Sequence, residues 1–586
     1  MARRPLAPRP LRWLLAVAGC SLASTAAADP LPPPAAATAV SAPAEATGAA
    51  AIAPEVETPP RQGLHRGWHG AGRSWHGPMA RHHGEAGPHG DDHPNRDGLA
   101  DGDDGDCACE GNAAPPPAHG WQWQGWLRQR AVADGVSPVE AMGPAASETL
   151  RLTPPLEVEF RTRVGGSAVW SAPSGFVRKL DARLEGELRV WDRPDPALRD
   201  GPWLLRRGGV ELTTLAGQFT LGRTLSTWGL GLLAQDGTDD PLQFGVRRGG
   251  NVVTRLGWGF LPAALWHKGD PLQAFPLAIA LAYDWVARDD VAFFPGDSAR
   301  NAIAAVLYRG TALQAGVYGV LRDQRDAQGL QLDARIVDGY VKYRHDGGHH
   351  RYFEVAAEGA WTQGRTGWLK TVQQVQGVDI SQWGGVARIE TGNRRALLRL
   401  EGGLASADGR PLDGTLRNQR FNSDYRVGLV MFPQAQRILS EQTAANLGDP
   451  RYVQSAPTGI ERLRTEGAVT QALYLHKVMR VQALRHLAVL AGGTVAVSPT
   501  AVADPFRTWL AGGVPTGPRG GQGARDLGFE LDAGVELSHR LGRWLHGTLN
   551  IQGGFWVPGR AFDDAMGQRM AAVAAWQATV HIQAGL

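Results

Sequence analysis

Apolar and polar residues alternate with a period of two along much of this chain. In LEVEFRTRV, residues 156–164, Leu156, Val158, Phe160, Thr162 and Val164 fall on one face, and Glu157, Glu159, Arg161 and Arg163 on the other. ARLEGELRV, residues 182–190, repeats the arrangement with Arg183, Glu185, Glu187 and Arg189 on its polar face. DLGFELDAGVEL, residues 526–537, sets Leu527, Phe529, Leu531, Ala533, Val535 and Leu537 against Asp526, Glu530, Asp532 and Glu536. RALLRLEGGLA, VDGYVKYRHD, RYFEVAAEGAW, LHGTLNIQGGF and the final WQATVHIQAGL obey the same rule. Successive side chains of a strand point to opposite faces, so these segments predict two-faced β-strands and an all-β fold.

Alternation alone fits a soluble sandwich, apolar face inward, or a membrane barrel with apolar residues toward lipid and polar ones toward the lumen. Three features favour an antiparallel transmembrane β-barrel. The strands number about 18, each roughly nine to eleven residues, which suits a large barrel. The last strand runs to the terminal Leu586, where it would pair with the first strand and close the wall. The start reads as a secretory leader: basic MARRPLAPRPLR, apolar WLLAVAG, and Ala26-Ala27-Ala28 ahead of Asp29, which gives a signal peptide over 1–28. Val17-Ala18-Gly19-Cys20 also matches a lipobox, the competing cleavage reading.

Connection lengths test the barrel, because short turns and long loops must alternate between the two rims. Counting back from the end, 557–571 is long, 539–543 short, 499–525 long and 481–486 short. The alternation continues only if DYRVGLVMF, residues 424–432, is not a spanning strand. Residues 405–466 are therefore expected to form one long loop outside the membrane that folds back as a gate, with PQAQRILSEQTAANL as a short amphipathic helix. Further back, 392–394, 345–349, 310 and 216 are short, while 364–381, 287–299, 224–251 and 192–207 are long. An even count needs one more strand before 156, and WQWQGWLRQR supplies it, giving 18; boundaries good to a few residues also accommodate 16.

Residues 29–118 break the pattern. They pass from Ala/Pro-rich to Gly/His-rich to Asp/Gly-rich sequence and predict a disordered arm, free to meet a periplasmic partner or thread the lumen. Its histidines (His65, His69, His76, His82, His83, His89 and His93, with His119 just beyond), Asp cluster, Cys107 and Cys109 lack the spacing of a metal site, and no cofactor or metal is assigned. A formal charge of +3 gives no basic excess to point to nucleic acid. G-x-S-x-G and H-E-x-x-H are absent, so an outer-membrane hydrolase is disfavoured and the chain is read as no enzyme.

The expected functional surface is the lumen. Glu157, Glu159, Arg161, Arg163, Arg183, Glu185, Glu187, Arg189, Arg388, Glu390, Arg399, Glu401, Asp526, Glu530, Asp532 and Glu536 should line it. They either stiffen the wall as cross-strand ion pairs or form a hydrated path that guides a solute. In LGRTLSTWGLGLLAQDG, residues 221–237, Arg223 ends a strand and Trp228 opens a long loop. Trp228 is read as an interfacial aromatic or, with Arg223, as part of an inward-folded constriction.

GRTLSTWGLGLLAQDG followed by PLQFG, then FNSDYRVGLVMF, then RDLGFELDAGVEL with GGFWVPGRAFDD together resemble myxobacterial-type outer-membrane barrel proteins over about 120–586. The G-x-E-L-D strand followed by an aromatic-x-P-G hairpin is also similar to the alginate-export type of porin. That resemblance implies an arginine-rich 18-stranded barrel that carries an anionic polysaccharide. Here the arginines are interleaved with carboxylates, which departs from that pattern. The expected role is a porin-like channel in the bacterial outer membrane for a hydrophilic solute, extending to polysaccharide export. The rival is a lectin-like surface barrel that binds polysaccharide without transport through exposed aromatics such as Trp368 and Trp509.

Overall fold

The structure, a computed structural model, describes residues 120–585 except 144–148, 173–174, 192–200, 266–275, 348–349, 370–375, 453–461, 463 and 543. The expected leader and arm, with Cys20, Cys107, Cys109 and the histidines of the arm, lie outside the described residues, as do His119 and Leu586.

The alternating segments form the strands of one sheet. They are β1 (Gly120–Val136), β2 (Glu157–Ser171), β3 (Val177–Trp191), β4 (Trp203–Thr214), β5 (Gly217–Ser226) and β6 (Asn251–Phe260), followed by β7 (Leu277–Arg288), β8 (Ser298–Arg309), β9 (Leu313–Arg325), β10 (Gln331–Gly347), β11 (Arg351–Thr366) and β12 (Val378–Gly392). The remainder are β13 (Ala396–Ala405), β14 (Leu473–Leu484), β15 (Leu487–Val497), β16 (Asp526–Arg540), β17 (Leu545–Pro558) and β18 (Val573–Gly585). The sheet has 19 members; the two-residue stretch Thr415–Leu416 only lies beside β12, which leaves 18 spanning strands. Each spanning strand pairs antiparallel with its neighbour. β1 takes both β2 and β18, with Ala131 opposite Phe160 on one side and Val580 on the other. The barrel is closed, so no edge of its wall is left unpaired. The expected all-β, 18-stranded antiparallel barrel is the fold observed.

Faces are exchanged relative to a soluble protein. Phe160, Val164, Leu184, Leu221, Leu281 and Leu531 are exposed on the exterior, while Arg161, Glu185, Glu187 and Glu530 are buried. A wall that is apolar outside and charged inside suits lipid around it. No helix among the described residues is long and apolar enough to cross a membrane.

Two local departures are informative. The alternation expected over 526–537 breaks at its start. Gly528 has a φ of +93°, the pairing register with β15 shifts between Ala496 and Val497, and Leu527 turns inward at 2 % exposure. This bulge removes Asp526 from the row of Glu530, Asp532 and Glu536. Asp526 instead accepts hydrogen bonds from the backbone N–H of Gly528 (3.0 Å) and Arg560 (3.4 Å) at the strand end. The second departure is 261–276, a long connection on the rim where the other links are short.

The interior is not an empty tube. A buried apolar cluster joins Leu232, Leu242 and Phe244 from the β5–β6 connection to Phe421, Val427, Leu429, Met431 and Phe432 from the β13–β14 connection. Wall glycines make room for these side chains. A Cβ on Gly492 would stand 2.5 Å from the Phe244 ring, and one on Gly554 would stand 2.6 Å from Val430. Helix α1 (Arg437–Gly448) continues the longer insertion.

Candidate functional site: a lumen filled by two loops

The wall of β1–β4 is basic. Register places Arg130 opposite Arg161, and Arg161 opposite Arg189. Like charges in opposed positions repel, so this row needs acceptors. Carboxylates supply some of them. Glu187, 1 % exposed, meets Arg163 at 2.6 Å, Arg189 at 2.9 Å and Arg206 at 3.5 Å. Glu185 accepts from Arg206 at 2.7 Å, and Glu159 from Arg161 at 2.8 Å.

The other acceptors are backbone carbonyls of an inserted turn, Arg247-Arg248-Gly249-Gly250. Arg130 donates to the Arg247 carbonyl at 2.6 Å and Arg161 reaches it at 3.4 Å. Arg189 donates to the Arg248 carbonyl at 2.8 Å, and Arg206 to that of Gly249 at 2.5 Å. The opposite side of the same turn faces Asp424, whose carboxylate accepts the N–H groups of Arg248, Gly249 (3.0 Å) and Gly250 (2.6 Å). Gly249 and Gly250 adopt φ of +126° and +76°, values that glycine takes without strain.

Acidic residues on other strands hold the loops by the reverse polarity. Glu358 on β11 accepts the N–H groups of Leu230 and Leu232, and Asp338 on β10 accepts Trp228 Nε1 at 3.1 Å. The Trp228 ring packs on Tyr318 and Tyr340 with centroids 4.4 and 5.3 Å away. Trp228 therefore sits within the barrel rather than at its lipid interface. Glu530 on β16 accepts three consecutive N–H groups, from Leu429 (2.5 Å), Val430 (2.7 Å) and Met431 (2.7 Å). Gln552 accepts the Gly245 N–H at 2.7 Å. A buried loop must satisfy its backbone somewhere, and here wall side chains do so.

The remaining residues singled out from sequence divide into pairs. Arg399 bridges Glu390 (2.7 Å) and the loop residue Asp240 (2.8 Å). Arg388 lies 3.5 Å from Glu354, Glu401 accepts the Tyr474 hydroxyl at 2.7 Å, and Arg480 donates to Glu536 at 2.9 Å. Arg183 holds Asp181 at 2.7 Å, and Glu157 meets Arg437 of α1 at 3.5 Å. Asp532 is buried beside Glu530. Arg223 points at Thr254 Oγ1 (3.4 Å) and the Leu205 carbonyl (3.5 Å). It also borders a shallow cleft shared with Asp181, Arg183, Arg207, Glu211 and Asp236.

Loop carboxylates respond to these partners in opposite directions. Burial pushes the Asp240 carboxyl up, but Arg399 and Arg247 outweigh it and hold it well below the ordinary aspartate range. Burial likewise raises Asp424, and Arg426, Arg247 and the turn N–H groups overcome it. Asp290, which accepts the Ser423 hydroxyl at 2.8 Å, stays raised because burial wins there.

Sequence reasoning missed Arg130, Arg206, Asp338, Glu358 and Asp424. The first four occupy strands whose inward parity marks them. Asp424 had no signal, since its partners are backbone groups far away in sequence. Trp368, expected as an exposed loop aromatic, is 5 % exposed; Arg462 lies 3.9 Å over its ring. Trp509 remains 40 % exposed.

No family model matches the sequence, and no curated protein matches it. Among solved structures, the chain is similar to the outer membrane protein OpdK of Pseudomonas aeruginosa, with 12 % identity, 79 % of this chain and 99 % of that chain covered, and a TM-score of 0.43. OccAB1 of Acinetobacter baumannii gives 11 % identity, 79 % and 97 % coverage, and a TM-score of 0.45. OccK2 of Pseudomonas aeruginosa in complex with glucuronate gives 11 %, 80 %, 99 % and 0.42. The likeness is one of barrel architecture.

Proposed function

We propose that this barrel is a channel across a bacterial outer membrane for a hydrophilic solute, closed at rest by its two inserted loops. The observation that carries the reading is the basic wall of β1–β4. There Arg130, Arg189 and Arg206 donate to carbonyls of the 247–249 turn, Arg189 and Arg206 while also paired with Glu187 and Glu185. An anionic oxygen adds a full opposite charge, often in bidentate geometry, to the guanidinium contact that a neutral carbonyl makes. A solute bearing carboxylate, phosphate or sulfate therefore competes well for this wall. The charged residues of β2, β3, β12, β13 and β16 form the surface it meets once the loops move, with Trp228 at the constriction; Arg223, expected there too, shares the outward row of Leu221. Export of a polysaccharide is the more demanding form of the same proposal, because both loops must leave the lumen together.

The test is planar-bilayer conductance of the full chain beside a variant in which residues 406–466 are replaced by a short Gly/Ser linker. Both are checked for folding by the mobility difference between boiled and unboiled samples. Larger steps in the variant support the channel. A folded variant with no steps sinks it and moves the lectin-like surface barrel, with Trp509 as its exposed aromatic, ahead.

A further inference from the structure

The strands β8–β12 change character along their length. At mid-height their exterior row reads Ala304, Gly319, Val337, Trp361 and Trp383, each opposite the next across the sheet. Their interior at this height carries the buried Asp338 and Glu358. One row nearer the long-loop rim the exterior reads Ala302, Leu321, Arg335, Gln363 and Ser381. The next reads Arg300, Asp323, Asp333, Arg365 and Asp379, all exposed. Inside these upper rows Leu332, Ala334 and Ile380 pack with Trp368 in one buried cluster, beside the buried Arg322 and Gln324 of β9. On β10 and β12 inside and outside have exchanged polarity within the same strand. Lipid must end where the exterior turns charged, so the hydrocarbon boundary lies just above Trp361 and Trp383.

Two residues advance a strand by about 6.6 Å, or roughly 5 Å along the membrane normal at barrel tilt. The two upper rows therefore stand roughly 5–10 Å beyond the hydrocarbon, at headgroup depth. Arg335 is the charged residue nearest the lipid and has no carboxylate opposite it, only Leu321 and Gln363. Arg365 sits diagonally above it, between Asp333 and Asp379.

We propose that Arg335, Gln363 and Arg365 form a docking surface for the phosphate of a lipid headgroup in the leaflet at the long-loop rim, with Trp361 beneath it against the acyl chains. Continuity with the lipid-facing belt identifies the occupant: whatever touches Arg335 is the headgroup of a lipid whose chains touch Val337 and Trp361. Asp333 and Asp379 compete for Arg365 and set the affinity below what two free arginines would give. The inference rests on the transmembrane reading but not on the channel.

The test titrates the folded full chain in neutral detergent with diphosphoryl lipid A and with its dephosphorylated form, reading the shift in unfolding temperature of the heat-modifiable band. The phosphorylated lipid should bind the more tightly. Each surface arginine contributes on the order of fivefold in affinity, so Arg335→Gln should weaken binding about fivefold and the double variant R335Q/R365Q about 25-fold. Asp379→Asn should strengthen it. Conductance and heat-modifiable mobility should be unchanged in these variants. Equal binding of both lipids, wild-type affinity in R335Q/R365Q, or the same shift from inorganic phosphate alone would each overturn the proposal. A wild-type chain that shows no heat-modifiable barrel would overturn the transmembrane reading instead.

Discussion

Basic and acidic parts of the wall hold the inserted loops in opposite ways. On β1–β4, guanidinium groups donate to loop carbonyls; on β10, β11 and β16, carboxylates accept loop N–H groups. A peptide backbone carries both kinds of group and no net charge, so one loop can satisfy a basic and an acidic wall at once. The difference lies in redundancy. Glu187 keeps Arg163 and Arg189 if Arg206 is lost. Leu429, Val430 and Met431 all depend on the one carboxylate of Glu530.

Three outcomes would break or sharpen this contrast. The largest effect should come from Glu530→Ala. Three buried N–H groups lose their acceptor at roughly 1–3 kcal/mol each, not fully additive, for a total on the order of 3–5 kcal/mol. Denaturant titration of the folded barrel should show that loss, and bilayer steps should enlarge as the 421–439 segment is released. Arg163→Met should cost less, about 1–3 kcal/mol, because the buried Glu187 it holds keeps Arg189 and Arg206. If the two variants are equally destabilised, redundancy on the basic wall is not what distinguishes it. The smallest effect is on pH. Asp424 and Asp240 are depressed in the folded state, so the stability they give is present above their unfolded value, about 3.9, and is lost as pH falls through the lower folded value. Asp290 is raised, so it works the other way and offsets part of the first loss on acidification. Conductance should be flat from about pH 8 to 5 and rise only below about pH 4. A rise near neutral pH would assign release to the wall carboxylates Asp338, Glu358 and Glu530 rather than to these loop aspartates.

Much of the wall was legible. Arg161, Arg163, Glu185 and Glu187 announce a charged face by alternation, and the connection lengths fix which ends share a rim. Trp228 was legible as a choice between interface and constriction, and only its contacts with Asp338, Tyr318 and Tyr340 place it inside. The loop contacts were not legible. Gly250 and Asp424 are separated by 174 residues, and Arg399 and Asp240 by 159. In the first case one partner is a backbone N–H, which every residue but proline carries.

The chain by itself determined the apolar and charged faces of most strands and an even-stranded closed wall, because a period of two is a local property of each strand. The tertiary structure alone decided that Leu527 turns inward at a bulge, that Trp368 is buried, and that two loops fill the lumen. Those outcomes depend on whether distant backbone groups find acceptors in the interior, and residue type does not encode that.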